Sequence, residues 1–119
     1  MEIKTITHNG FKIPIKDYRG NPDACLDFLR DFYEINGIMT VLSLATNEEL
    51  KTTQKKRLKP VGIYKRGLAL YFVLPNGTEH LAVYLGKGKI ATLHNYNPAI
   101  MPIWKIKKFI RGGYYVGNC

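Results

Sequence analysis

The sequence predicts an α+β fold in which an N-terminal helix packs on an antiparallel β-sheet. Apolar residues recur at helical spacing over residues 23–36. From residue 68 onward, short apolar segments alternate with tight-turn signals, as they do in a meander of antiparallel strands. Because the helical pattern comes first and the strands follow, the class is α+β. The length of 119 residues fits a single domain, which we expect to span residues 1–119.

The predicted helix begins near Asp23 and ends near Asn36. Asn21 or Asp23 can cap its start, and Pro22 suits its first turn. Gly37 suits the position just after the last turn. The apolar residues form one stripe that faces a core: Cys25, Phe28, Leu29, Phe32 and Ile35.

Three strands are predicted in the second half of the chain, at residues 68–74, 80–85 and 89–93. The turns between them are Pro75-Asn76-Gly77-Thr78 and Gly86-Lys87-Gly88. Alternation divides the middle strand into two faces, His80, Ala82 and Tyr84 on one and Leu81, Val83 and Leu85 on the other.

The remaining segments give weaker signals. Residues 3–15 alternate loosely around Asn9-Gly10, as a small hairpin or an extended arm does. The other interpretations are an apolar helix or strand at 38–45, a basic helix at 46–58, a loop at 95–102, a short helix or extended segment at 103–110, a break at Gly112-Gly113 and an edge strand at 114–116.

The chain is strongly basic, with a formal net charge of +9 and a pI of about 9.6. Such a surface favours polyanions: nucleic acid, an anionic membrane surface, or a cell wall rich in phosphate and carboxylate. We find no zinc-finger spacing and no Arg/Gly-rich tail, and nucleic acid is not the partner that we expect. No apolar run is long enough to span a bilayer, and the N-terminus lacks the pattern of a signal peptide. We therefore expect synthesis in the cytoplasm. Two cysteines are too few for a disulfide framework.

Cys25 falls in the first turn of the predicted helix, where unpaired N–H groups and the macrodipole favour a thiolate and can help to hold an oxyanion. His80 opens a strand, and packing the helix on the sheet would bring the two side chains together. A cysteine and a histidine so placed are the pair that a cysteine hydrolase needs. A third polar group should orient the imidazole: the candidates are His94 first, then Asn95, Asn97 and Thr92. The alternatives are a buried structural cysteine and histidines that merely end strands.

Four motifs follow one another along the chain. They are Asp23-Ala24-Cys25, then Phe32-Tyr33 with Gly37, then Gly67-Leu68-Ala69-Leu70-Tyr71-Phe72, and finally His80-Leu81-Ala82-Val83-Tyr84-Leu85-Gly86-Lys87-Gly88. Together they resemble the pattern of the NlpC-type cell-wall cysteine peptidases, a papain-like superfamily that cleaves peptidoglycan stem peptides. The resemblance covers Tyr18 to Val116, and the His-x-x-x-Tyr-x-Gly-x-Gly hairpin is its most specific part.

The resemblance implies a papain-like NlpC-type fold, with Cys25 as the nucleophile and His80 as the base, and with no cofactor or metal. Tyr18 takes the place of a tyrosine that often precedes the nucleophile, and Asp23 and Asn95 are further candidates for contacts to the substrate or the oxyanion. The small size and the Arg30-Asp31-Phe32-Tyr33 helix look most like phage tail-tip members. We therefore expect a virion component that acts on peptidoglycan peptides, with other phage tail proteins as partners.

Some positions depart from the family pattern, in particular Ala24 between the Asp and the Cys, and Leu68 where a Gly-Asp pair is usual. The dyad remains, and several alternatives stay open. One is a catalytically inactive tail structural or assembly protein. Another is a basic nucleic-acid-binding domain carried by Tyr64, Lys65 and Arg66. A thiol acyltransferase, or a peptidase with a protein substrate, would use the same dyad. We do not expect the permuted order that would use Asn118-Cys119, because a terminal cysteine cannot begin a helix.

Overall fold

The structure, a computed structural model, describes residues 4–38 and 59–114. Along the chain its elements are β1 (Lys4–His8), β2 (Phe11–Ile15), α1 (Ala24–Ile35), β3 (Ala69–Val73), β4 (Glu79–Gly86), β5 (Lys89–His94), β6 (Asn97–Pro102), two short 3₁₀ turns (Ile103–Lys105 and Lys107–Phe109) and β7 (Ile110–Tyr114). β1 and β2 form a hairpin, and the other strands form a five-stranded antiparallel sheet in the order β6-β5-β4-β3-β7. The α+β class is confirmed. Residues 39–45 of the predicted apolar helix or strand, and the predicted basic helix at 46–58, lie outside the described residues.

The N-terminal hairpin closes through Asn9 and Gly10, whose φ values of 51° and 85° both lie in the left-handed region. Two such residues make the tight turn that matches strand twist, so the hairpin interpretation of this segment is confirmed. Arg66 connects the Asn9-Gly10 turn to the rest of the domain through two contacts. Its guanidinium donates a hydrogen bond to the Asn9 carbonyl and lies 4.4 Å from the centroid of the Phe11 ring.

Helix α1 has the predicted bounds, with Asp23 as its N-cap residue and Gly37, at φ 67°, beyond its last turn. Its buried side differs from the predicted stripe and comprises Ala24, Leu26, Phe28, Leu29, Phe32 and Tyr33. Cys25 and Ile35, which the stripe included, are only partly buried. The burial of Tyr33 was not predicted; its hydroxyl donates a 2.7 Å hydrogen bond to the Gly67 carbonyl, which satisfies the polar end of the ring.

The five-stranded sheet has apolar residues on both faces. On the face that contacts α1, which we call the helix face, the strand residues in the core are Ala69, Tyr71, Leu81, Val83, Leu85, Ala91 and Leu93. On the opposite face, which we call the second face, the core residues are Leu68, Leu70, Phe72, Ala82, Ile90 and Ile106. The predicted alternation along β4 is therefore confirmed, because Leu81 and Ala82 belong to different clusters.

Two predictions for the C-terminal part are wrong. Residues 95–102 are not a loop, since β6 pairs with β5 along its whole length. Its prolines, Pro98 and Pro102, are tolerated because β6 is an edge strand. The turn before it uses Asn95 and Tyr96 at φ 51° and 64°, and it contains no glycine that would signal it.

Gly112-Gly113 does not break the chain but lies inside β7, which pairs with β3. A Cβ on Gly113 would stand 3.1 Å from the Ala69 carbonyl oxygen, so the glycine allows a close approach of two backbones. Tyr114, the first residue of the predicted edge strand at 114–116, belongs to β7 (Ile110–Tyr114), and residues 115 and 116 lie outside the described residues. No helix of the described residues has the length and apolar character needed to cross a membrane.

Candidate active site

A cleft of about 660 Å³ opens where the start of α1 meets the end of the sheet. The helix start contributes Asn21 to Leu26, β3 contributes Tyr71, the β3–β4 turn and β4 contribute Thr78 to Leu81, and β5 with its following turn contributes Leu93, Asn95 and Tyr96. Cys25 and His80 therefore line the same cleft. The N-cap position of Asp23 and the strand start at Glu79 bring them there.

Cys25 occupies the first turn of α1 and contacts the backbone of β4. Burial raises the pKa of the Cys25 thiol, and a hydrogen bond from the Leu81 backbone lowers it by less, so the net shift is upward. The thiolate that the helix N-terminus was expected to stabilise is thus disfavoured by desolvation. In this arrangement Cys25 rests as a neutral thiol at neutral pH.

Leu81, whose backbone contacts the Cys25 thiol, lies just beyond the end of the hydrogen-bond ladder between β4 and β5. The registered pairing of β4 with β5 runs from Gly86 to Ala82, which lies opposite Thr92. At the next residue, Leu81, the carbonyl accepts a 2.7 Å hydrogen bond from the Thr92 hydroxyl instead. The side chain of Thr92 therefore replaces a ladder hydrogen bond beside Cys25.

The His80 ring is half-buried and stacks on Phe72, with the ring centroids 5.3 Å apart and an interplanar angle of 19°. Phe72 belongs to the second face, whereas Cys25 packs against the cluster of the helix face. Burial lowers the pKa of His80, which favours the neutral imidazole. The thiol thus meets the Leu81 backbone and the imidazole meets Phe72, and among the described residues no hydrogen bond joins Cys25 to His80.

The candidates for the orienting residue lie at the end of β5. His94 is exposed, pairs in register with Asn97 of β6, and is not among the residues that line the cleft. Asn95 does line the cleft, and its carbonyl accepts a 3.0 Å hydrogen bond from the Asn97 amide. Thr92 is buried, at 2% exposure, with its hydroxyl bonded to Leu81.

Tyr18 is fully buried behind the helix start and does not line the cleft. Its hydroxyl donates a 2.6 Å hydrogen bond to Oδ2 of Asp31, and its backbone N–H donates to the Tyr96 carbonyl at 2.8 Å. Burial and the neighbouring carboxylate raise the pKa of Tyr18. The hydroxyl bond joins the chain before α1 to the helix, and the backbone bond joins it to the β5–β6 turn, which forms one wall of the cleft.

Sequence reasoning missed Tyr71, Glu79 and Tyr96, which all line the cleft. The Tyr71 hydroxyl donates a 2.7 Å hydrogen bond to Oε1 of Glu79. Burial, this hydrogen bond and the charge of Glu79 raise the pKa of Tyr71 to about 12, so the phenol remains a donor at neutral pH. A signal was present, because Glu79 is the sole acidic residue in the sequence between residues 59 and 114.

No protein-family model matches the chain, and a comparison with curated proteins finds no match either. Among residues 4–38 and 59–114, no group of three His, Cys, Asp or Glu side chains is placed to hold a metal ion. The site is therefore described by its own chemistry: a thiol, an imidazole, and a tyrosine–glutamate pair around one cleft.

Proposed function

We propose that the protein is a cysteine peptidase that hydrolyses amide bonds of peptidoglycan stem peptides, with Cys25 as nucleophile and His80 as general base and acid. One observation carries the proposal: Cys25 in the first turn of α1 and His80 at the start of β4 line the same cleft. A nucleophile at a helix start that faces a histidine-bearing strand is the arrangement of papain-like enzymes. The α+β architecture agrees with a papain-like NlpC-type fold.

In the proposed reaction, His80 removes the thiol proton as Cys25 Sγ attacks the scissile carbonyl carbon. The tetrahedral oxyanion accepts a hydrogen bond from the Cys25 backbone N–H at the start of α1. The C–N bond then breaks, and the imidazolium gives its proton to the leaving amine. Water, deprotonated by His80, hydrolyses the thioester and regenerates the thiol. The reaction starts from a neutral pair, since burial favours the neutral form of both groups.

Two residues are candidates for orienting the His80 imidazole in the proposed reaction. His94 is the first candidate from the order of the predicted strands, and it ends the strand that runs beside β4. Asn95 is the candidate that lines the cleft itself. Either one would act in a conformation in which the His80 ring has left Phe72 and turned towards Cys25, and the proposed reaction requires that conformation.

The substrate class follows from the resemblance and from charge. A net charge of +9 favours an anionic wall over a neutral surface. We propose that the protein acts as a phage tail component that opens the wall locally.

The test is hydrolysis of muropeptides with defined stem peptides, followed by mass spectrometry of the products. Cys25→Ala and His80→Ala should each lower the rate by roughly a hundredfold or more. Cys119→Ser is the matched control, since it removes the chain's other cysteine, and it should keep the wild-type rate. Full hydrolysis by Cys25→Ala would overturn the proposal.

A second candidate is a tail structural or assembly protein that keeps the fold without turnover. The stacking of His80 on Phe72 favours it, because this contact occupies the imidazole. No hydrolysis by the wild-type protein on any muropeptide, together with normal incorporation into tails by Cys25→Ala, would support this candidate.

A further inference from the structure

The acidic residues are unevenly distributed between the two sides of the sheet. The described acidic residues lie before β3 or at the cleft: Asp17, Asp23, Asp27, Asp31, Glu34 and Glu79. The segments that pack on the second face, residues 59–68 and 101–111, contain lysines and arginines and no acidic residue. Within the part of the chain that the structure describes, the second face therefore presents positive charge with no acidic residue to neutralise it.

The two 3₁₀ turns between residues 103 and 109 direct their side chains alternately towards the core and towards solvent. With three residues per turn, Ile103, Ile106 and Phe109 fall on one side and pack against the core of the second face. The residues between them point away from the core and are exposed: Trp104, Lys105, Lys107 and Lys108. This short segment thus displays a tryptophan among lysines.

The neighbouring segment adds a second apolar side chain. Trp104 and Ile63 are each 71% exposed, more than any other large apolar residue that the structure describes. The Lys107 ammonium lies 5.6 Å from the Tyr64 ring centroid, which joins the two segments, and Lys105 lies 5.9 Å from the Trp104 ring. We name this surface the basic-aromatic patch, formed by Ile63, Tyr64, Trp104, Lys105, Lys107 and Lys108.

We propose that the basic-aromatic patch binds the surface of an anionic lipid bilayer. Tryptophan prefers the boundary between head groups and acyl chains, and lysines beside it can bury their stems while their ammonium groups meet lipid phosphates. Ile63 supplies an aliphatic side chain that can enter the same boundary. The lysines add attraction to anionic lipids, which falls off with salt.

Nucleic acid is the competing occupant and fits these residues less well. A single-stranded binder needs aromatic faces on which bases stack, and Ile63 offers none. Arg66, whose guanidinium would suit phosphate, already bonds the Asn9 carbonyl and covers Phe11. Arg66, one of the three residues expected to carry a nucleic-acid-binding surface, is therefore already engaged within the protein.

Binding through this patch also sets an orientation. α1 and its acidic residues lie on the opposite side of the sheet. Residues 4–38 carry five basic and five acidic side chains, so an anionic bilayer would attract the second face more strongly than that side, and α1 would point away from the membrane.

The test uses Trp104, which is the chain's single tryptophan. Vesicles of phosphatidylcholine containing phosphatidylglycerol should shift its fluorescence to the blue, whereas pure phosphatidylcholine vesicles and high salt should not. Lys107→Gln with Lys108→Gln should weaken partitioning roughly thirtyfold, since each lysine near an anionic surface contributes about a fivefold factor. Ile63→Ser should weaken it as well.

The matched control is Lys4→Gln with Lys12→Gln, two exposed lysines on the hairpin, which should change partitioning less than about twofold. Equal weakening by both double variants, or no blue shift with anionic vesicles, would overturn the proposal. Quenching of Trp104 by an oligonucleotide, with vesicles inert, would also overturn it and assign the patch to nucleic acid. Cys25→Ala should bind vesicles as the wild type does, which separates this proposal from the peptidase proposal.

Discussion

The Thr92 hydroxyl donates a 2.7 Å hydrogen bond to the Leu81 carbonyl at the point where the β4–β5 ladder ends. Thr92 is 2% exposed, so this bond is made away from water. The same peptide segment meets Cys25 through the Leu81 backbone. A side chain on β5 thus holds the stretch of β4 on which the candidate nucleophile rests.

Replacing Thr92 by valine should lower the free energy of unfolding by about 1–3 kcal/mol. Valine keeps the shape of threonine but leaves the buried Leu81 carbonyl without its partner. Urea denaturation measures the change, and Thr7→Val, at an exposed position on β1, is the control and should stay within about 0.5 kcal/mol of wild type. Equal stability of Thr92→Val and wild type would show that water replaces the bond.

The lowered pKa of His80 predicts a pH dependence of stability. Because the folded protein binds a proton on His80 less readily than the unfolded chain does, the unfolded state gains protons first as the pH falls. The contribution of neutral His80 to the free energy of unfolding is complete above the pKa of the unfolded chain, about 6.5. It is lost as the pH falls through the lower pKa of the folded protein. Denaturation of the wild type and His80→Gln at pH 7.5 and below, down to about pH 5, should show a steeper loss for the wild type.

The raised pKa of Cys25 predicts slow alkylation at neutral pH. In a Cys119→Ser background, the rate of reaction with iodoacetamide should inflect above the ordinary thiol value of about 8.5, because burial disfavours the thiolate. His80→Ala should leave this profile unchanged in the free protein, since the ring stacks on Phe72. An inflection well below 8.5 that His80→Ala abolishes would contradict the prediction and would indicate a thiolate–imidazolium pair in solution.

Gly113→Ala should destabilise the protein by about 1–3 kcal/mol. The new methyl group would stand 3.1 Å from the Ala69 carbonyl oxygen and 3.2 Å from Cγ2 of Val61, so β7 would have to move away from β3. Thermal unfolding measures the effect. Gly62→Ala is the matched control, because no atom lies within 4 Å of the added Cβ, and it should be neutral or slightly stabilising.

Local patterns predicted much of the fold because they depend on neighbours in sequence. The α1 stripe, the Asn9-Gly10 turn and the alternation along β4 follow from helical period, positive φ and strand period. The sequence did not predict β6 and β7 correctly, because Pro98 and Gly113 disfavour a strand when only their neighbours in sequence are considered. Pairing with β5 and β3 overrides that preference, since an edge strand tolerates proline and a close backbone contact requires glycine.

The same division applies to the candidate site. Caps, turns and periodicity are sufficient to place Cys25 at a helix start and His80 at the start of a strand. Contacts between distant parts of the chain set their surroundings: the Leu81 backbone against the thiol, Phe72 against the imidazole, and the Tyr71–Glu79 hydrogen bond in the wall of the cleft. The same contacts set the direction of the pKa shifts of Cys25 and His80, since desolvation depends on which distant residues exclude water from each group.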